Sequence, residues 1–174
     1  MYTAYNKKEG DDISSTDREI AFEELMNIND EDEFVTMEYG TQNRADSYLA
    51  IILHRSTLAR NYALINPYDD EFKNDVKTYR IDFETYIAIS VFQEEFGGML
   101  FSDDSDIYEG TYVRRYKKSA LYDAMDKVHP FKRYYPDSDF VHYAFVTGDM
   151  QIDIISVTPP TIKEVHLKKG IIIG

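Results

Sequence analysis

Hydrophobic and polar residues alternate most regularly in the last third of the chain. Residues 139–146 and 150–157 are both rich in β-branched and aromatic side chains, and Thr147-Gly148-Asp149 lies between them. A short glycine-containing turn between two such runs is typical of an antiparallel hairpin. Residues 162–167 predict one more strand. The apolar residues 171–173 predict a short C-terminal strand tail, which we expect to pair with the sheet or with a neighbouring chain.

Shorter alternating runs earlier in the chain predict three further strands, at residues 34–39, 77–83 and 111–116. The run from 46 to 62 is ambiguous, because its apolar residues fit one helical stripe while residues 48–53 equally fit a buried strand. We favour a helix there, since the run is long and contains neither glycine nor proline.

Apolar residues spaced three or four apart predict three more helices. The first covers residues 17–27 and begins with a capping box formed by Thr16 and Glu19. The second covers residues 84–96 and is followed by two glycines that can cap its end. The third covers residues 119–128 and ends just before a His-Pro pair.

These elements together predict an α+β protein. Its 174 residues form one domain by default, and a hydrophobic content of 43% is enough for a real core. We therefore expect a single α+β domain at residues 16–174, with a mainly antiparallel sheet and three or four helices. Residues 1–15 are expected to form an extended acidic N-terminal arm.

Charge is distributed unevenly along the chain, whose formal net charge is −13. The acidic segment (residues 9–38) contains twelve acidic residues and one basic residue, which gives −11. The basic stretch (residues 113–133) contains seven basic and two acidic residues, which gives +5. Such separation predicts that the acidic segment of one copy binds the basic stretch of the next, in a head-to-tail contact that closes into a ring. The expected contact residues are Glu31, Asp32, Glu33, Arg114, Arg115, Lys117, Lys118, Lys132 and Arg133.

Two other uses of the basic stretch stay open. Its mixture of basic and aromatic residues is also found in proteins that bind single-stranded nucleic acid. The overall negative charge disfavours this use, because it repels a polyanion at long range. The other alternative is a solvated basic face without a partner.

No pattern of residues indicates catalysis, a cofactor or a metal. The chain has no cysteine, which excludes disulfides, thiolate catalysis and cysteine-ligated zinc. The acidic loop that begins at Asp103 lacks glycine at its sixth position and glutamate at its twelfth, so it does not match a calcium loop. His142 lies within a predicted strand, and we interpret it as a hydrogen-bonded structural histidine. Asp149, Gln151 and Asp153 share one strand face, which we interpret as the solvent-exposed side. We expect a non-enzymatic protein.

The layout of the chain resembles that of small tailed-bacteriophage virion proteins of the head–tail connector or tail-ring kind. The similarity lies in the arm at residues 1–15, the hairpin at residues 139–157 followed by Pro159-Pro160, and the terminal residues 171–174. The resemblance implies a structural subunit, present in a ring of copies between portal and tail. Its partners would be copies of itself and other virion proteins, without specific nucleic-acid binding and without a membrane.

A second function remains open from the sequence. Small acidic phage proteins that mimic nucleic acid inhibit host restriction or CRISPR enzymes in the host cytoplasm. The size and charge of this chain agree with that class, whereas the +5 stretch agrees less well. No apolar run approaches the roughly 20 residues of a membrane span. We therefore expect the protein to act in a cytoplasm or in an assembly built there.

Overall fold

The computed structural model describes residues 17–28, 33–42, 48–56, 76–93, 104–148 and 150–166. In chain order the elements are β1 (Arg18–Ile20), α1 (Phe22–Met26), β2 (Glu33–Gln42), β3 (Tyr48–Ser56), β4 (Val76–Phe83), β5 (Tyr86–Gln93), β6 (Ile107–Glu109), β7 (Val113–Lys118), α2 (Ala120–Val128), a 3-10 helix (Phe131–Arg133), β8 (Val141–Val146), β9 (Met150–Ser156) and β10 (Thr161–Val165).

The described strands form two five-stranded antiparallel sheets. The first sheet has the order β1-β10-β4-β3-β2, and the second has the order β5-β9-β8-β7-β6. The strands β4 and β5 belong to different sheets, although they follow each other closely in the sequence. The chain therefore crosses from one sheet to the other at residues 84 and 85.

The inner faces of the two sheets pack against each other as a β-sandwich. Phe83 of β4 has its ring centroid 5.6 Å from that of Tyr143 and 6.1 Å from that of Phe145, both on β8. Fully buried aliphatic side chains from both sheets surround these rings, namely Leu49, Ile51, Leu53, Ile81, Ile152 and Ile154. The core thus lies between the sheets, as expected when two half-buried sheets cover each other.

The predicted α+β class is wrong, because the described part of the chain is a β-sandwich with two α-helices, of five and nine residues. Two of the expected helices are strands. Residues 48–56 form β3, in which Leu49, Leu53 and also Ile52 and His54 are buried, so both faces are covered and the alternation is lost. Residues 86–93 form β5 instead of a helix. Its β-branched residues recur at every second position from 87 to 91, a spacing that favours a strand.

The predicted N-terminal helix is mostly wrong as well. Glu19 lies in β1, where it pairs with Lys163, so it forms no capping box, and Thr16 lies outside the described residues. Only Phe22–Met26 is helical, and its N-cap residue Ala21 makes no side-chain capping bond. Burial of the apolar side of this single turn provides what capping does not.

The remaining elements confirm the sequence interpretation. The helix at 119–128 is α2, and Ser119 caps it by accepting a hydrogen bond from the Tyr122 amide. The C-terminal hairpin is β8–β9, and the predicted strands at 34–39, 77–83, 111–116 and 162–167 correspond to β2, β4, β7 and β10. The arm at 1–15 and the apolar tail at 171–173 lie outside the described residues.

The N-terminal segment (residues 17–28) joins the two sheets at one end of the sandwich. Its β1 extends the first sheet by pairing with β10. The ring of Phe22 in α1 lies 5.1 Å from that of Tyr143 in the second sheet, with the rings edge to face. One short segment therefore contributes both main-chain pairing to one sheet and aromatic packing to the other.

Candidate interaction surface

The four basic residues of β7 lie on two opposite faces of the strand. Strand alternation places Arg115 and Lys117 on one side and Arg114 and Lys118 on the other. Arg115 pairs with Tyr143 across the sheet, on the side of the core, whereas Arg114 pairs with Ala144. The predicted basic stretch is thus not one continuous surface.

Acidic residues of the same chain already bind the pair on the core side. Arg115 donates hydrogen bonds to Glu23 in α1 at 2.9 Å and to Glu109 in β6 at 3.0 Å. Lys117 lies 2.5 Å from the other oxygen of Glu109. Glu23 belongs to the acidic segment, so one contact between oppositely charged segments forms within a single copy.

The pKa directions agree with this pairing. A hydrogen bond from the Glu23 backbone amide, and then the bond from Arg115, lower the pKa of Glu23. Lys117 and then Arg115 lower the pKa of Glu109. Both carboxylates are therefore ionised near neutral pH, and they screen the charge of Arg115 and Lys117 from an external partner.

The outward pair on β7 is differently placed. The Arg114 side chain donates to the Thr111 carbonyl at 2.7 Å, and its guanidinium carbon lies 4.8 Å from the ring centroid of Tyr108. This geometry is a cation–π contact on a surface where Tyr108 is itself exposed. Lys118 is exposed at the end of β7. Arg114 and Lys118 thus remain available in a way that Arg115 and Lys117 do not.

The other basic residues form a separate surface, the basic corner (residues 127–135). It consists of the last two residues of α2, the 3-10 helix and the residues next to them. The nine-residue helix α2 separates it from Lys118 by about 13 Å of helix length. Every residue of the corner except Phe131 is exposed, and Val128, Tyr134 and Tyr135 expose 71%, 66% and 42% of their surface.

Phe131 fixes the basic corner to the rest of the domain. Its buried ring lies 5.6 Å from that of Tyr122 in α2 and 5.5 Å from that of Phe140. Its amide donates to Asp126 at 2.8 Å. Since the centre of the corner is packed and hydrogen-bonded, the exposed tyrosines that follow it are held in place rather than loosely displayed.

Lys132 and Arg133 differ in their surroundings. The Lys132 ammonium donates to the Ser138 carbonyl at 2.5 Å and lies 5.7 Å from the Phe140 ring centroid, so it closes the loop that follows the 3-10 helix. Arg133 is exposed, and no carboxylate of the described residues lies within ion-pair distance of it. Within this part of the chain, Arg133 is thus the cation of the corner that is most accessible to a partner.

The predicted acidic contact residues are less well placed by the structure. Glu31 and Asp32 lie outside the described residues, and Glu33 is the first residue of β2, for which the backbone alone is described. Glu24, from the same acidic segment, binds Arg18 at 2.6 Å. Arg18 also binds Glu164 of β10 at 3.0 Å, so this pair helps to hold β1 on the first sheet.

A buried hydrogen-bond chain connects α2 to the outer face of the second sheet. Ser119 Oγ lies 2.7 Å from His142 Nδ1, and His142 Nε2 lies 2.9 Å from Asp153 Oδ1. Each of the three residues is only 4% exposed. The other carboxylate oxygen of Asp153 accepts from Gln151 at 2.9 Å, and the Tyr116 ring stacks on the His142 ring at 4.0 Å.

One protonation pattern satisfies the whole chain of bonds. The Asp153 carboxylate can only accept, so His142 Nε2 carries a proton and donates it. Nδ1 of a neutral ring then accepts from the Ser119 hydroxyl, whose oxygen accepts from the Tyr122 amide at 3.0 Å. The prediction that His142 is a hydrogen-bonded structural histidine is confirmed. The interpretation of the Asp153 face as solvent-exposed is wrong for Asp153, which is buried, while Asp149 lies outside the described residues.

The same three residue types form hydrolase triads, but this arrangement is built differently. In those triads the serine faces Nε2 and the carboxylate faces Nδ1, and the serine oxygen is open to substrate. Here the two nitrogens are exchanged, and the serine oxygen is buried and occupied as a helix cap. The chain of bonds fastens α2, and with it the basic corner, to the sheet. The hairpin register alone could have indicated the His142–Asp153 contact, since the two residues are diagonal neighbours on one face.

The buried chain of bonds gives a stability prediction. Replacing Asp153 by alanine leaves the His142 Nε2–H without its acceptor in a buried site, and we expect this to cost about 2 kcal/mol of unfolding free energy. The conservative variant D153N keeps a carbonyl oxygen at that position, so it is expected to cost clearly less. Urea denaturation would measure both, with the exposed Asp123→Ala as a control. Equal losses in D153A and D123A would contradict this role of the hydrogen bonds.

A second polar cluster lies on the outer face of the first sheet. The Arg80 side chain donates to both oxygens of Asp82, at 3.0 and 3.1 Å, and to the Tyr48 hydroxyl at 2.7 Å. The Tyr48 hydroxyl in turn donates to Asp82. Burial, and then the bond to Asp82, raise the pKa of Tyr48 to about 12. The three groups satisfy one another, so this cluster ties β3 to β4.

Comparisons with known proteins identify no relative. No protein-family model matches the chain, and neither a curated protein nor a solved structure matches it. Within the described ranges, no three histidine or acidic side chains are grouped as metal ligands. No helix in the same ranges is long and apolar enough to cross a membrane.

Proposed function

We propose that this protein is a non-enzymatic structural subunit of a multi-copy assembly, in which the basic corner of one copy binds the acidic segment of the next. The observation that supports it is the exposure of Tyr134, Tyr135 and Arg133 on a segment held in place by buried Phe131. Tyrosine and arginine are the residue types that contribute most to protein–protein interfaces.

Rigidity of the basic corner favours binding for an energetic reason. A flexible segment loses conformational entropy when it binds, and this loss weakens the complex. The Phe131 packing and the Asp126 hydrogen bond have already imposed that order in the free subunit. Tyr134 and Tyr135 therefore offer large apolar area at a small entropic cost.

Charge identifies the acidic segment as the partner. The corner carries Lys127, Lys132 and Arg133 and no acidic residue. Its sequence counterpart is the run Asp30–Glu33, which contains the predicted contact residues Glu31, Asp32 and Glu33. Arg115 and Lys117 no longer belong to the proposed contact, since Glu23 and Glu109 of the same chain bind them.

Within this class, we propose a head–tail connector or tail ring of a tailed bacteriophage, located in the virion. The support for this narrower proposal is the resemblance in layout. A ring is the natural product of the contact, because a corner that binds a different surface on the next copy repeats head to tail until the rotation closes.

Charge reversal tests the contact. Arg133→Glu combined with Tyr134→Ser is expected to reduce the assembly to smaller species, measured by size-exclusion chromatography with light scattering. Lys163→Glu combined with Tyr39→Ser is the matched control, because it changes the same charge and another exposed tyrosine on the first sheet. The control is expected to keep the size of the wild-type particle.

Two further measurements decide the identity of the partner. Glu31→Lys with Asp32→Lys is expected to weaken assembly, and adding Arg133→Glu to that variant is expected to restore part of it. Assembly is expected to weaken in about 1 M salt, where the Debye length falls to about 3 Å. A wild-type monomer at every concentration overturns the proposal. If that monomer binds a DNA-processing enzyme with salt-sensitive affinity, nucleic-acid mimicry replaces it.

A further inference from the structure

The four sheet edges formed by the described strands differ in how they discourage pairing with another chain. Edge strands expose unpaired main-chain groups, and proteins protect them by shortness, charge or bulges. β1 and β6 have three residues each. β2 is longer, but it contains Glu33 and Glu38 and has a bulge between Phe34 and Thr36.

β5 lacks these protections along most of its length. It has eight residues, Tyr86–Gln93, and none of them is charged, in a chain where 29% of residues are. Its bulge lies at its first residues, between Tyr86 and Ala88, so the six residues from 88 to 93 run regularly along β9. Val91 is 39% exposed although it faces the side of the core.

We propose that β5 is a dimerisation edge, which pairs in antiparallel fashion with β5 of a second copy across a two-fold axis at Ser90. Such an axis keeps the same face of both sheets on the same side, so residues of equal parity oppose each other. Ile89 then lies opposite Val91 of the second copy, and Ala88 lies opposite its Phe92. The two second sheets become one continuous ten-stranded sheet.

The distribution of charge selects a second copy as the occupant. Acidic residues lie just beyond both ends of β5, at positions 84, 94 and 95. In the register centred on Ser90, position 94 faces 86, position 95 faces 85 and position 84 faces 96, and none of these partners is charged. The strand can therefore pair with itself without opposing like charges, which would destabilise the pair. This contact is separate from the basic corner and does not depend on the proposed function.

A symmetric disulfide tests the register. The chain has no cysteine, so Ser90→Cys introduces a single thiol with no background. Under mild oxidation S90C is expected to form a covalent dimer on non-reducing gels, because the axis brings the two copies of residue 90 together. Ile107→Cys, on the exposed edge strand β6, is the matched control and is expected to cross-link far more slowly.

A lysine at the seam tests its energetics. Val91→Lys places a charge opposite Ile89 at two symmetric positions, so we expect it to weaken dimerisation about tenfold or more. Ile107→Lys is expected to leave the dimer intact, as is Arg133→Glu, and sedimentation velocity measures all three. If the wild type shows no dimer and S90C cross-links no faster than I107C, the proposal is overturned. An unfolded V91K leaves the S90C comparison decisive.

Discussion

Replacing Phe83 by alanine is expected to lower the free energy of unfolding by about 3 to 5 kcal/mol, the usual cost of removing a fully buried phenylalanine. The reason is its position at the centre of the sandwich. Phe83 belongs to the first sheet, yet its ring contacts Tyr143 and Phe145 of the second sheet edge to face. Its loss removes apolar burial and leaves a cavity between the sheets, which the strands cannot close without losing their pairing.

Chemical denaturation measures this effect, with Tyr134→Ala as the control. Tyr134 is an aromatic residue of similar size that is 66% exposed, so its removal is expected to change stability by less than about 0.5 kcal/mol. The expected result is a midpoint that falls for F83A only, or an F83A chain that does not fold at all. A loss below about 1 kcal/mol would show that the two sheets do not share this ring contact.

Replacing Gly110 by alanine is expected to destabilise the fold by about 3 kcal/mol or more, through backbone strain and a clash together. Gly110 has φ +89°, a region that residues with a side chain rarely adopt. A Cβ atom at this position would overlap the carbonyl oxygen of Val113 and the Met26 side chain. Met26 can shift, but the carbonyl belongs to the β6–β7 hairpin and cannot move without disturbing its pairing.

Gly40 provides the control for this prediction. It lies in β2, and a Cβ atom added there would meet no atom within 4 Å. We therefore expect G40A to be close to neutral and G110A to lose stability in thermal unfolding. Because Gly110 lies against Met26 of α1, loosening of the N-terminal segment is expected to accompany the loss, as faster proteolysis near residue 28. Similar melting temperatures for the two variants would contradict the geometry of this turn.

The sequence was informative where structure depends on near neighbours. The β8–β9 hairpin follows from Thr147-Gly148-Asp149 between two β-rich runs, and α2 follows from the Ser119 cap and the His-Pro stop. It was misleading for β3 and β5, because a short apolar run has no clear period that separates a strand from a helix. The choice there depends on pairing with strands far away in the chain, such as β5 with β9.

The candidate surface shows the same division. Counting charges identified Lys132 and Arg133, and their exposure agrees with that choice. Counting could not show that Arg115 and Lys117 are bound by Glu23 and Glu109, because that contact exists only after α1, β6 and β7 have come together. The strand alternation of β7 also divides what looks continuous in the sequence.

The order of strands in the two sheets constrains when this chain can fold during synthesis. β9 is the strand that connects β5 to β8, and β10 is the strand that connects β1 to β4. Arg18 meets Glu164 across the β1–β10 pair, so the earliest strand waits for nearly the latest one. A nascent chain that ends before residue 150 therefore holds separate hairpins with open edges, and closure of both sheets is left to the ribosome's last few seconds of work or to the time after release.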